Sequence, residues 1–195
     1  FQNVSMEFEK GNSYGFVGPN GCGKSVFFKT LCGYSLLTEG QVIYRGKIIG
    51  KEQDFIDDAG IVIEEPEFIN SLSGLENLKI LAEIQKKISE AEIIEVLKQF
   101  DLYEDRNKKV GKYSVGMKQK LRLAQAVMEK PQVLILDEPM NGLDKKSVKK
   151  VEDILKAFVE NGGTLLMTSH IEQQVEACCK IVYEIDGGEI LRVTD

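Results

Sequence analysis

The chain has 195 residues, of which 43% are hydrophobic and 29% charged, and its 25 Lys and Arg against 31 Asp and Glu give a formal net charge of −6. This length predicts one domain with a sizeable core, and the composition excludes a disordered chain. The acidic balance argues against a general polyanion binder, so we predict no nucleic-acid partner and expect any bound phosphate to be held by a local site.

The first third of the chain predicts short strands around one helix. Residues 3–9 alternate apolar and polar side chains, the period of a half-buried strand, and a glycine-rich loop follows the next apolar run. Gly33 is placed to end the helix. The predicted elements are strands over 3–9 and 13–17, a helix over 25–31, a hairpin of 41–44 with 47–49, and a strand over 61–63.

The middle of the chain predicts a helical lobe, because its segments are charged and amphipathic. Ser89 and Glu92 have the spacing of a capping box. The predicted helices cover 75–84, 89–102 and 116–129. We expect residues 66–128 to form this lobe, inserted into an α/β core of residues 1–65 and 129–195, with the whole of 1–195 forming a single domain.

The last third returns to strands alternating with helices, which favours a largely parallel sheet covered by helices. Ser169 and Glu172 again have capping-box spacing and predict the start of a helix. The other predicted elements are a strand over 133–136, a helix over 145–160, a strand over 164–168, and a hairpin of 181–185 with 189–193.

The cysteines and the N-terminus predict a cytosolic protein. Cys22, Cys32, Cys178 and Cys179 lack the spacing of a metal site, and reduced thiols are the simplest interpretation. No apolar run approaches the ~18 residues of a transmembrane helix. The first residues lack a Met and the pattern of a signal peptide, so we expect the chain to begin partway through a longer one.

A phosphate-binding loop is predicted between the second strand and the first helix, where the chain fits G-x-x-x-x-G-K-[ST]. Its glycines would let backbone N–H groups turn towards phosphate oxygens, and the following helix would point its positive end at the same anion. The lysine can reach the β- and γ-phosphates, and the serine can hold Mg²⁺. The alternative is a chance glycine-rich turn. The loop residues are Gly18, Pro19, Asn20, Gly21, Cys22, Gly23, Lys24 and Ser25.

Two carboxylates follow the apolar strand over 133–136. A buried strand would deliver Asp137 to its carboxyl end, where open α/β sheets bind ligands. Asp137 can orient Mg²⁺, and Glu138 could polarise a water towards the γ-phosphate. The alternative is a solvated acidic pair, but the phosphate loop upstream favours a nucleotide site.

Three further motifs, in order, resemble one family. Residues 113–117, YSVGM, occupy the place of a signature sequence LSGGQ before Asp137, and 141–144, NGLD, resembles a D-loop. His170 follows the next strand and has the position of a switch histidine. Over nearly its whole length the chain resembles the nucleotide-binding domain of ATP-binding-cassette (ABC) proteins.

This resemblance implies a P-loop NTPase fold, with an ABC ATPase core, N-terminal β-subdomain strands and an inserted helical lobe. It implies ATP hydrolysis with ATP and Mg²⁺, in a head-to-tail dimer that closes on two ATP molecules. Glu138, His170 and Lys24 would be catalytic. The implied nucleotide contacts are the phosphate loop, Phe27, Glu64, Ser114, Gly116 and Asp144, and the implied metal ligands are Ser25, Asp137 and Glu64.

The chain departs from the family at three places. The signature retains only its serine and second glycine, Glu64 stands where the family has glutamine, and the aromatic residue that stacks on adenine would lie upstream of Phe1. Glu64 and the YSVGM form resemble the branch that exports, or gives immunity to, bacitracin and lantibiotic-type antimicrobial peptides. That branch implies membrane permease subunits on separate polypeptides and a cytoplasmic, peripheral position on the inner face of the membrane.

Other functions stay open at this point. A soluble ABC ATPase is one, although the interval from Lys24 to Ser114 leaves no room for the long coiled coils of chromosome and repair proteins. A P-loop kinase or GTPase is another, although guanine-specific N-K-x-D is absent. For Ser114 and Asp144 the alternative is an ordinary helix N-cap, and for Glu64 a position facing solvent.

Overall fold

The computed structural model describes residues 1, 3–64 and 68–193. The strands are β1 (Ser13–Val17), β2 (Ile43–Tyr44), β3 (Lys47–Ile48), β4 (Ala59–Val62), β5 (Val133–Leu136), β6 (Thr164–Ser169), β7 (Ile181–Asp186) and β8 (Glu189–Arg192). The helices are α1 (Lys24–Cys32), α2 (Gly74–Gln85), α3 (Glu90–Gln99), α4 (Val115–Val127), α5 (Lys145–Glu160) and α6 (Glu172–Cys178), with a 3₁₀ turn over Val110–Lys112.

A six-stranded sheet with the order β4-β5-β6-β1-β7-β8 forms the centre of the fold. Every neighbouring pair is parallel except the hairpin of β7 and β8. The prediction of a largely parallel, helix-covered sheet is confirmed. Since β5, β6 and β1 are adjacent, the segments that follow these three strands meet at one edge of the sheet.

The two faces of the sheet hold separate hydrophobic clusters. Ile135 and Leu166 face the aromatic side chains of β1 and α1. Their neighbours Leu134 and Leu165 face the opposite way, towards a cluster that includes Leu78, Leu97 and Leu121 of the helical segment. The predicted lobe therefore shares its core with the sheet. Among the helices of the described ranges, none combines the length and the hydrophobicity of a transmembrane span.

The predicted strand over residues 3–9 is wrong. Met6 and Phe8 do pack against the core, and the Phe8 ring lies 5.0 Å from that of Tyr14. However, the Glu9 N–H donates to the Tyr14 hydroxyl at 2.7 Å, and within the described ranges no strand pairs with this segment. Alternation marks a buried face, but a strand also needs a neighbouring backbone to bond.

The predicted cap of α6 is also wrong. The helix begins at Glu172 with Ile171 as its N-cap, and no side chain caps it. Strand β6 runs on through Ser169, whose fully buried hydroxyl accepts from the Ile171 N–H and donates to Gln174, both at 3.0 Å. The spacing is that of a capping box, but Ser169 is one further residue of the strand and therefore lies before the turn. The capping box of Ser89 and Glu92 is present as predicted.

All four cysteines are free thiols, in keeping with the predicted reduced state. Burial raises the pKa of Cys32 and of Cys178 to about 12, so both remain protonated at neutral pH. They act as small apolar side chains of the core.

Strand β4 lies so close to α4 that glycine is required at position 60. A Cβ there would lie 2.0 Å from the backbone oxygen of Ala126. We expect Gly60→Ala to lower the free energy of unfolding by about 1–3 kcal/mol, because the helix must move away. Urea unfolding followed by circular dichroism measures this. Ile84→Ala, at a side chain 75% exposed, is the control and should change stability by less than about 0.5 kcal/mol; equal stability of the two variants would contradict the expectation.

Candidate active site

The phosphate loop connects β1 to α1. Gly23 is the N-cap of α1, with a left-handed φ of 107° and no side-chain cap. The first-turn N–H groups of the helix are therefore left for a ligand. An anion such as a phosphate is the natural partner at this position, since it also meets the positive end of the helix dipole.

Lys24 folds back over the loop. Its Nζ donates to the backbone oxygens of Gly18 and Pro19 at 2.7 and 3.1 Å, and Lys24 is only 7% exposed. These acceptors are neutral. A largely buried ammonium whose partners in the described residues are all neutral is costly, which favours the approach of an anion to this loop.

Asp137, directly after β5, joins the loop to the sheet. The Ser25 hydroxyl donates to its Oδ2 at 2.5 Å, and the Thr168 hydroxyl donates to its Oδ1 at 2.5 Å. Two of the three predicted metal ligands, Ser25 and Asp137, are thus brought together although they lie far apart in the chain.

Glu138 and His170 form the second half of the site. His170 Nδ1 lies 2.9 Å from Glu138 Oε2. Because an ionised carboxylate only accepts hydrogen bonds, we assign the proton to Nδ1. The other carboxylate oxygen, Oε1, is buried and has no hydrogen-bond partner among residues 1, 3–64 and 68–193. A buried carboxylate oxygen ordinarily has a hydrogen-bond partner, so this one calls for an explanation.

Two residues of the site were missed by sequence reasoning. Thr168 lies near the carboxyl end of β6, beside Asp137, and the signal that could have found it is this position at the end of the strand adjacent to β5. Gln119 of α4 is 5% exposed, and its Nε2 donates to the backbone oxygens of Pro139 at 2.8 Å and Glu138 at 3.4 Å. A glutamine on the otherwise apolar inner face of a helix was the available signal.

Ser114 and Asp144 both serve as helix N-caps. The Ser114 hydroxyl accepts from the Met117 N–H at 3.2 Å, and Asp144 accepts from the Ser147 N–H at 2.8 Å. The backbone and hydroxyl hydrogen bonds of Ser147 hold the pKa of Asp144 below its usual value. Gly116 lies against Gly142, where an added Cβ would come within 3.1 Å of the Gly142 oxygen. In the described part of the chain, no hydrogen bond joins Ser114 or Asp144 to the phosphate loop.

Glu64 and Phe27 have partners other than the Ser25–Asp137 pair. Glu64 forms an ion pair with Lys29, and its side chain is 63% exposed. Phe27 is 7% exposed, and its ring lies 5.1 Å from that of Phe16 in the aromatic cluster beneath the loop. Its N–H is used within α1, bonded to the Gly23 oxygen.

The site fits a magnesium–nucleotide complex. Within the described ranges, no group of three His, Cys, Asp or Glu side chains could hold a metal by itself. The Ser25 hydroxyl and the Asp137 carboxylate are the type of ligands Mg²⁺ uses when waters and substrate phosphates complete its coordination. The protein oxygens and the phosphate loop therefore suit this ion only together with a phosphate ligand.

The known proteins that this chain resembles are ATP-binding proteins of ABC transporters. The sequence profile of the ABC transporter family matches residues 1–141. The chain is 38% identical to the uncharacterized ABC transporter ATP-binding protein YybJ of Bacillus subtilis, covering 96% of this chain and 86% of that protein. It is 34% identical to the lantibiotic transport ATP-binding protein SrtF of Streptococcus pyogenes, covering 97% and 81%.

The chain covers a smaller share of some other relatives. It is 33% identical to the bacitracin transport ATP-binding protein BcrA of Enterococcus faecalis, covering 96% of this chain and 62% of that protein. Among solved structures, the dimeric ATP-binding cassette MJ0796 in a post-hydrolysis state with ADP and phosphate has the same fold. Its TM-score is 0.86 at 22% identity, over 99% of this chain and 90% of that one.

Proposed function

Because the chain belongs to the ABC transporter family, we propose that it is the subunit that binds and hydrolyses ATP to drive a membrane transporter. The observation that supports this proposal most strongly is the hydrogen bonding of the Glu138 carboxylate. One of its oxygens is held by His170 at 2.9 Å, while the other is buried without a partner in the described structure. This geometry suits a base that takes a proton from an attacking water.

The phosphate loop and its lysine bind the triphosphate. The N–H groups of the loop and of the first turn of α1 donate to phosphate oxygens, and Lys24 exchanges its backbone acceptors for the β- and γ-phosphates. Ser25 and Asp137 would hold Mg²⁺, with Glu64 as a third oxygen ligand. When bound, Mg²⁺ supplies positive charge that neutralises the phosphate oxygens.

Hydrolysis then depends on Glu138 and His170. Glu138 orients a water in line with the γ-phosphate and accepts its proton. His170 fixes the carboxylate through Nδ1, which leaves Nε2 to face the phosphate. A positioned base of this kind contributes about 10²–10⁴-fold to the rate.

Two copies, or two paired nucleotide-binding domains, are needed to complete each site. Ser114, Gly116 and Asp144 make no hydrogen bond to the phosphate loop of their own chain in the described residues, and we infer that they contact the ATP of a partner in a head-to-tail dimer. The start of α4 offers a hydroxyl, a backbone N–H and a positive helix end to the γ-phosphate.

We place the chain at the inner face of the cell membrane, bound to permease subunits on separate polypeptides. Its likeness to the proteins named for lantibiotic and bacitracin transport supports antimicrobial peptides as the transported class. The test is co-purification: expressed with the membrane proteins of neighbouring genes, the chain should be retained in detergent with them and show ATPase activity. A chain that hydrolyses ATP but recovers no membrane protein would instead favour the soluble ABC ATPase.

Glu64 provides a prediction about the metal. It lies just beyond β4, whose Val62 pairs with Leu136 directly before Asp137, so it belongs to the same edge of the sheet. We propose that Mg²⁺ replaces Lys29 as the partner of its carboxylate. Glu64→Gln should then need more Mg²⁺ for half-maximal hydrolysis and bind metal-free ATP better, because it removes a negative charge beside the triphosphate.

Lys29→Gln is the matched variant for this test. It removes the competing ammonium and should lower the Mg²⁺ requirement. Identical Mg²⁺ titrations of phosphate release for the wild type and both variants would show that Glu64 does not approach the metal.

A further inference from the structure

Thr168 bonds to both acidic residues of the site through one hydroxyl. Its Oγ1 donates to Asp137 Oδ1 at 2.5 Å and accepts from the Glu138 N–H at 3.0 Å. Thr168 is fully buried in β6, so water does not compete for these bonds. The hydroxyl therefore joins the residue proposed to bind Mg²⁺ to the residue proposed to activate water.

The backbone at Glu138 makes this support necessary. Glu138 has a φ of 48°, a left-handed conformation that a residue with a side chain adopts only when its surroundings hold it. The bond from its N–H to Thr168 fixes one side of this turn, and Gln119 bonds the Glu138 and Pro139 oxygens on the other. The direction of the Glu138 carboxylate follows from the backbone that these bonds hold.

We propose that Thr168 is a positioning residue for ATP hydrolysis, which sets the relative placement of Asp137 and Glu138 without itself touching the substrate. The inference rests on the proposed ATPase function. It assigns Thr168 to turnover and not to nucleotide binding, because its hydroxyl bonds to the acidic pair and not to the phosphate loop.

The decisive substitution is Thr168→Val, which keeps the shape of the side chain and removes both hydrogen bonds. Loss of such supporting contacts typically costs about 10–100-fold in activity, so kcat should fall in this range while KM for ATP stays near the wild-type value. Thr168→Ser keeps the hydroxyl and should restore kcat. The affinity for ADP without Mg²⁺, measured by titration calorimetry, should be the same in all three proteins.

Thr164→Val is the matched control. Thr164 lies at the other end of the same strand, is 5% exposed, and its hydroxyl accepts from the Gly11 N–H at 3.0 Å. This variant also loses a buried hydroxyl from β6, so its melting temperature should fall, but its kcat should not. If Thr168→Val does not fold, Thr168→Ala serves as the hydroxyl-free variant in the same comparison.

The role of Thr168 and the proposed ATPase function are contradicted by different results. Wild-type kcat in the folded hydroxyl-free variant would overturn the role of Thr168, as would an equal fall in kcat for Thr164→Val or no recovery in Thr168→Ser. A wild-type full-length chain that releases no phosphate would instead contradict the proposed ATPase function.

Discussion

Replacing Glu138 by glutamine is expected to lower ATP turnover by about 10²–10⁴-fold while ATP still binds. Glutamine keeps the size of the side chain and can still accept a hydrogen bond, but it cannot take the proton of the attacking water. The bound ATP should then persist and hold two copies together. Phosphate release measures the first effect, and an ATP-dependent dimer on gel filtration measures the second.

The matched control for this experiment is Glu176→Gln, an equally conservative change at an exposed position of α6. It should hydrolyse ATP at the wild-type rate and form no long-lived dimer. Near-normal hydrolysis by Glu138→Gln would remove Glu138 from the role of base, and the carboxylate oxygen without a partner would need another explanation.

Most of the fold could be predicted from the sequence, because most elements are defined by local signals. The bounds of β5 and α5 were predicted to the residue, since Pro131 precedes the strand and Asn161 follows the helix. The predictions failed where a structural element depends on contacts that the local pattern does not contain. Alternation over residues 3–9 could not show that no strand of the described chain pairs with them, and the spacing of Ser169 and Glu172 could not show how far β6 extends.

The residues of the candidate site could likewise be predicted where a local motif marks them, and not where only the fold brings them together. Lys24, Asp137, Glu138 and His170 lie in motifs that follow strands β1, β5 and β6, and the adjacency of these strands brings them together. Thr168 belongs to no motif, and its role depends on two bonds that only the three-dimensional arrangement shows. The family resemblance predicted Glu64 as a ligand of the metal, but in the structure its carboxylate forms an ion pair with Lys29. Sequence spacing does not reveal such an ion pair.

Replacing Lys24 by alanine is expected to abolish most nucleotide binding. Lys24 is 7% exposed and bonds only neutral carbonyl and thiol groups in the described structure, so the phosphates of ATP would be its first counter-charge. Removing one partner of such a buried charge pair costs about 2–5 kcal/mol, or at least about 25-fold in affinity. Titration calorimetry with ATP and Mg²⁺ measures the loss, and phosphate release should fall with it.

Loss of charge must be separated from disturbance of the loop, because the Lys24 ammonium also bonds the Gly18 and Pro19 oxygens. Lys24→Met keeps most of the aliphatic chain, and Lys51→Ala removes an exposed lysine far along the chain from the loop. If the charge is responsible, Lys24→Met and Lys24→Ala should lose similar affinity even where their melting temperatures differ, and Lys51→Ala should bind ATP as the wild type does. Unchanged affinity and turnover in both Lys24 variants would mean that the glycine-rich segment is only a turn between β1 and α1, and the nucleotide would have to be bound elsewhere.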